Sequence, residues 1–110
     1  MVKLPEPVAN YFTADTGGSS GGDAVARCFT EDGIVRDEGH SHVGREAIAR
    51  WKAEASTKYS YTAEPIAVDE DDGKCVVTCR LEGNFPGSPL NLRYFFEIKG
   101  DWIASLETML

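Results

Sequence analysis

The hydrophobic positions follow two regimes along the chain. The first half repeats at helical spacing and the second half alternates. In "LPEPVANYFTAD", Leu4, Val8, Tyr11 and Phe12 fall on one helical face, and a proline suits the first turn. "TGGSSGG" follows, a linker by composition. Asp23 opens "AVARCF", a second short helix with Val25, Cys28 and Phe29 as its apolar side, and "EDG" ends it. "IVRD" reads as a short strand, with Val35 and Asp37 pointing one way and Ile34 and Arg36 the other. "EGHSHVG" reads as a connection. "REAIARWKAEASTKY" has no Gly or Pro and places Ile48, Trp51 and Ala55 on one stripe, which predicts the strongest helix of the chain.

From Tyr59 onward the pattern is that of strands. "YSYTAEPIAV" comes first, with Pro65 marking an edge or a bulge. "DEDDGK" is a turn, and "CVVTCRLEGNF" is the next strand. "FPGS" places Pro and Gly at the centre of a type II turn. "LNLRYFFEI", the turn "KGD" and "WIASLETML" complete the series. Helices followed by an antiparallel meander predict an α+β fold. No repeat or change of composition divides the chain, so residues 1–110 are expected to form one domain.

Composition narrows the partners. The formal net charge is −7 and no run of Lys or Arg stands out. Nucleic acid and anionic membranes both call for positive charge, so neither is expected as a partner. No apolar run approaches the roughly 20 residues that span a bilayer. "MVKLPEPVANYF" lacks the apolar core of a signal peptide, and a cytoplasmic location is the expectation. Of the three cysteines, Cys75 and Cys79 lie four strand steps apart, about 13 Å. A disulfide needs Cα atoms within about 7 Å, so these two do not bridge each other. All three are read as free thiols. The run "DEDD" lacks the spacing of a calcium loop, and "TGGSSGG" lacks the flanking elements of a phosphate loop.

The stretch "CFTEDGIVRDEGHSHVGREAIARW" joins an aromatic helix end, an acidic turn, a strand ending in Asp, and Gly-Arg-Glu-Ala-Ile opening a helix with Trp. Together with the tail "EGNFPGSPLNLRYFFEIKGDWIASLE", it resembles the SnoaL-like branch of the NTF2-like superfamily, over nearly the whole chain. The resemblance implies a cone-shaped half-barrel: three N-terminal helices packed on a curved, mostly antiparallel sheet that encloses a pocket. It also implies a homodimer through the outer sheet face and a small apolar ligand or substrate. The superfamily includes isomerases, cyclases, dehydratases, hydrolases and non-catalytic binding modules, so fold alone does not choose among them.

Asp37 matches the general base that the ketosteroid isomerase members carry at the end of this strand. A carboxylate in an apolar pocket resists ionisation, which suits proton abstraction beside a carbonyl. The competing reading has Asp37 capping the connection and facing water. Tyr11 lies on the helix where those isomerases hold a phenol that donates to the oxyanion. Their second carboxylic acid has no counterpart here. The inward parity of "LNLRYFFEI" is Leu92, Tyr94, Phe96 and Ile98, so Tyr94 stands near the acid's place and Glu97 faces outward beside Arg93.

His40 and His42 point to one side if extended. They suit a proton shuttle or hydrogen-bond donor at the pocket rim, or else a solvent-exposed or capping role. Two residues apart, they have a spacing seen in metal sites, and Asp37 or Glu38 could complete a three-ligand set, but there is no third histidine and no metal or cofactor is expected. Two functional readings follow. One is a cofactor-free isomerase, cyclase or dehydratase with Asp37 as base and Tyr11, Tyr94 or a histidine as donor. His40 is the rim candidate for catalysis, and His42, Trp51, Tyr94, Phe96 and Leu106 are the candidates for substrate contact. The other is a non-catalytic ligand-binding or dimerisation module, with Asp37 turned to water or the pocket filled by Trp51, Phe96 and Leu106.

Overall fold

The computed structural model describes residues 3–15, 21–58 and 61–109. Most of the "TGGSSGG" linker, together with Tyr59 and Ser60, lies outside the described residues. The elements run α1 (Glu6–Asp15), α2 (Gly21–Ala26), β1 (Phe29–Asp37), β2 (His40–Val43), α3 (Arg45–Lys58), β3 (Tyr61–Asp71), β4 (Lys74–Gly83), β5 (Leu90–Lys99) and β6 (Trp102–Met109). The six strands form one curved, open sheet in the order β2-β1-β6-β5-β4-β3. Strands β3 to β6 are the expected antiparallel meander. Strand β1 joins it in parallel alongside β6.

Three sequence expectations need correction. The helices are not all N-terminal: two precede β1, and α3 follows the β1–β2 hairpin. "EDG" does not end a helix but runs inside β1, whose register against β6 shifts between Phe29 and Ile34. "EGHSHVG" is not an irregular connection. His40–Val43 is a strand paired with β1, and Glu38-Gly39 is the two-residue turn between them. Both turn residues have positive φ, 52° and 79°, as the right-handed twist of a tight hairpin requires. Asp72-Gly73 repeats the device between β3 and β4, with φ of 54° and 78°.

The alternation in the second half is realised strand by strand. On β5, Tyr94 and Phe96 are buried, while Arg93 and Glu97 are exposed. Pro65 sits at a bulge on β3, an edge strand, where its missing N–H costs no ladder bond. The type II turn at Pro86-Gly87 forms, with Gly87 at φ 88°. The core beneath the helices is an aromatic cluster. Tyr11 meets Phe12, Phe29, Tyr94 and Phe96 edge-on, with ring centroids 5.1 to 6.3 Å apart. Val8, Val25, Val35, Ile48, Val77, Ile103 and Leu106 fill the remainder.

The helical stripes carry one surprise. On α1 the inward positions are Val8, Tyr11, Phe12 and Asp15; on α3 they are Ile48, Trp51, Lys52 and Ala55. Each stripe therefore holds one charged residue, and the two meet. Lys52 is 3% exposed and the Asp15 side chain 7% exposed, and the ammonium pairs with the Asp15 carboxylate. Lys52 Nζ also donates to the Tyr61 hydroxyl at 3.0 Å. Burial alone would lower the Lys52 pKa. Tyr61 and Asp15, by charge and by hydrogen bonding, more than reverse this, and the net shift is upward.

Two stability predictions follow from these contacts. Lys52→Met strands the buried Asp15 carboxylate and costs about 3–5 kcal/mol in urea unfolding, whereas Asp15→Leu/Lys52→Met recovers most of that loss. Because the folded pKa of Lys52 is raised, the wild type keeps this contribution in full below the ordinary lysine value of 10.5. It loses the contribution as pH rises through the folded value, and the double variant shows no such alkaline loss. At the hairpin, Glu38→Asn relieves a left-handed backbone held by a long side chain and raises stability by about 0.5–1 kcal/mol in the same assay.

Candidate functional site

The candidate site forms where the end of β1, the middle of α3 and the end of β6 converge. Asp37 follows Val35 by two residues and so shares its inward face; Val35 is fully buried and Asp37 half-buried. Trp51 Nε1 donates to Asp37 Oδ2 at 3.0 Å. Thr108 Oγ1 donates to Asp37 Oδ1 at 2.5 Å. One oxygen is held by a helix and the other by a strand, and lone pairs on both remain available.

Tyr11 and Tyr94 stand under the helices, 1% and 3% exposed, with ring centroids 6.3 Å apart. Burial pushes the Tyr11 phenol well above its ordinary value, and the charge of Asp15, the phenols of Tyr94 and Tyr61 and the charge of Asp37 push it further. Tyr94 is raised well above its ordinary value too, first by burial and then by Tyr61, Cys79, Asp15 and Asp37. Both therefore remain protonated donors at neutral pH. The charges of Asp15 and Asp37 act on both phenols in the same upward direction.

The hairpin register fixes the histidines. His40 lies opposite Asp37 and His42 opposite Val35, so both share the inward face of β2. His42 is half-buried and packs on Trp51, with ring centroids 6.0 Å apart, while His40 is exposed at the start of β2. No group of three metal-ligating side chains forms among the described residues. Phe96 and Leu106 are completely buried in the core, and half-buried Trp51 lies beside Asp37. The cysteines are free; burial pushes the Cys79 thiol up to about 12, with the charge of Asp15 adding to it, so it is an inert core residue.

Sequence reasoning missed three participants. Thr108 lies two residues beyond Leu106 and opposite Tyr94, so strand parity alone was enough to place it inward. Lys52 and Asp15 occupy stripe positions that apolar periodicity passes over because they are charged. A separate open groove of about 370 Å³ lies between α2 and α3, lined by Asp23, Arg27, Arg45 and Glu46 among others, and contains none of the candidate residues.

Among the described residues, no helix is long and apolar enough to cross a membrane. Among curated proteins, none matches the chain significantly. The solved structures are more informative. A Sinorhizobium meliloti protein proposed to be a polyketide cyclase is 42% identical, with a TM-score of 0.88 over 96% of this chain and 95% of that one. A Catenulispora acidiphila protein of ketosteroid isomerase-like fold, solved with trimethylamine, is 22% identical, with a TM-score of 0.83 over 98% of this chain and 87% of its own. An Agrobacterium tumefaciens protein proposed to be an isomerase of the SnoaL-like family is 15% identical, with a TM-score of 0.76 over 93% and 92% of the two chains. The model of the SnoaL-like domain matches residues 8–105, and the chain belongs to that family.

Proposed function

We propose that the protein is a cofactor-independent isomerase, cyclase or dehydratase that moves a proton beside a carbonyl group of a small, largely apolar substrate. The observation that carries this reading is the half-buried Asp37 carboxylate, oriented by Trp51 and Thr108 on the same inward face as two buried phenols. Asp37 removes the proton. Both of its donors are neutral, so they orient it without setting an opposing charge against it. Tyr11 and Tyr94 donate to the carbonyl oxygen as negative charge develops there, in an interior where such bonds are strong. His40, exposed opposite Asp37, returns the proton or exchanges it with solvent at the rim. His42 and Trp51 form the wall that the ring or chain of the substrate meets. The kinship with the Sinorhizobium protein supports the reaction class, since ring closure and isomerisation share the same proton abstraction.

The assembly we propose is a homodimer through the outer sheet face. Trp102 and Met109, 47% and 41% exposed on β6, with Val43 on β2 and Ile66 on β3, are the large apolar side chains that a partner sheet would cover.

Deuterium exchange at the α-carbon of 2-tetralone, a compact apolar ketone, tests the proton-transfer reading by NMR. The wild type is expected to accelerate exchange, Asp37→Asn to lose at least about 100-fold of that acceleration, and Thr108→Val about 10-fold. Equal exchange by wild type and Asp37→Asn would reject Asp37 as the base and leave the ligand-binding module as the better description. For the assembly, sedimentation is expected to give the mass of two chains, and Trp102→Glu to give the mass of one.

A further inference from the structure

The buried cation is close to the proposed reaction centre but takes no part in the chemistry assigned so far. Lys52 follows Trp51, whose indole N–H holds Asp37, and Lys52 Nζ lies 5.4 Å from the centroid of that same indole. One aromatic ring thus borders both the proposed base and the buried ammonium. An ammonium has three N–H donors. One goes to Asp15 and one to the Tyr61 hydroxyl. As an acceptor from Lys52, the Tyr61 oxygen keeps its own proton for donation, and among the described residues that proton has no acceptor. A phenol that accepts from a cation becomes a stronger donor.

Building on the proton-transfer reading, we propose that Lys52, Asp15 and Tyr61 form a tuned anion-accepting unit. Tyr61 donates its hydroxyl to a ligand oxygen that carries negative charge. Lys52 acts through Tyr61 as a positioning residue and strengthens that donation, while Asp15 moderates the field of the ammonium. The unit selects a compact, apolar ligand with an acidic enol or phenol oxygen, which binds as its conjugate base. Ionisation places the ligand proton on solvent and leaves the electron pair on the bound oxygen, so no other reactant is consumed.

A purely structural ion pair and a tuned one give different signs. If the pair only holds α1 to α3, loss of either partner weakens ligand binding alike. If the ammonium sets the affinity for an anion, removing Asp15 leaves a stronger net positive field and removing Lys52 leaves a negative one. The probe is 4-nitrophenol, whose visible absorbance reports its ionisation when bound. The wild type is expected to bind the phenolate in preference to the phenol. Lys52→Met and Tyr61→Phe are expected to weaken phenolate binding at least about tenfold, and Asp15→Asn to tighten it severalfold. If Lys52→Met does not fold, Asp15→Leu/Lys52→Met supplies the comparison, and it is expected to bind the neutral phenol without preference for the phenolate. Weakening by Asp15→Asn, unchanged binding in Tyr61→Phe, or a wild type without preference for the phenolate would each overturn the proposal. Asp37→Asn separates this outcome from the reading beneath it. That variant is expected to retain nitrophenolate binding while losing ketone exchange, so failure in exchange alone rejects the base and failure with the probe alone rejects the anion-accepting unit.

Discussion

A single ion pair beneath the helices sets much of what surrounds it. Lys52 and Asp15 are both withdrawn from water, and each would be expensive to bury alone. Their meeting fastens the C-terminal end of α1 to the middle of α3, two helices that otherwise make their main contacts elsewhere. A helix pinned at one residue is pinned in rotation and in register. With Lys52 turned inward, Trp51 has one direction left, along the wall toward β1, where its indole reaches Asp37. The position of the candidate base is in this sense a consequence of a charge pair on its neighbouring helix.

The two inward carboxylates are held in contrasting ways. Asp15 is neutralised by a cation, so its charge is largely spent within the protein. Asp37 is met by an indole N–H and a hydroxyl, which orient it without cancelling its charge. Between them stand phenols that burial keeps protonated. An acceptor with charge to spare, beside donors with protons to offer, is an arrangement suited to moving a proton across a bound molecule.

Much of this was legible in the sequence, and the parts that were not have physical reasons. The alternation in "LNLRYFFEI" placed Tyr94 and Phe96 inward because a strand offers only two faces. The parity of Val35 and Asp37 worked for the same reason. The hairpin at Glu38-Gly39 was obscured because glutamate is an unusual choice for a left-handed turn position, and the pairing of β2 with β1 supplies what the local sequence does not. "EDG" resembles a helix terminator by composition, yet the bulge in β1 absorbs it, and Gly33 has room there only because it has no side chain: a Cβ would come within 2.9 Å of Phe29. Lys52 and Asp15 escaped notice because a stripe read only by its apolar members skips a charge. The partner that makes each acceptable lies 37 positions away in sequence, on another helix.

The bond from Thr108 to Asp37 spans 71 positions of sequence, and the parallel pairing of β1 with β6 is what makes that span possible. Neither partner can find the other through local structure. The ends of a loop that long are brought together late, after the meander between them has collapsed and lowered the entropy of closure. The other donor to the carboxylate, Trp51, lies only 14 positions away. The contact between Asp37 and Thr108 closes only where the final strand lies beside the first.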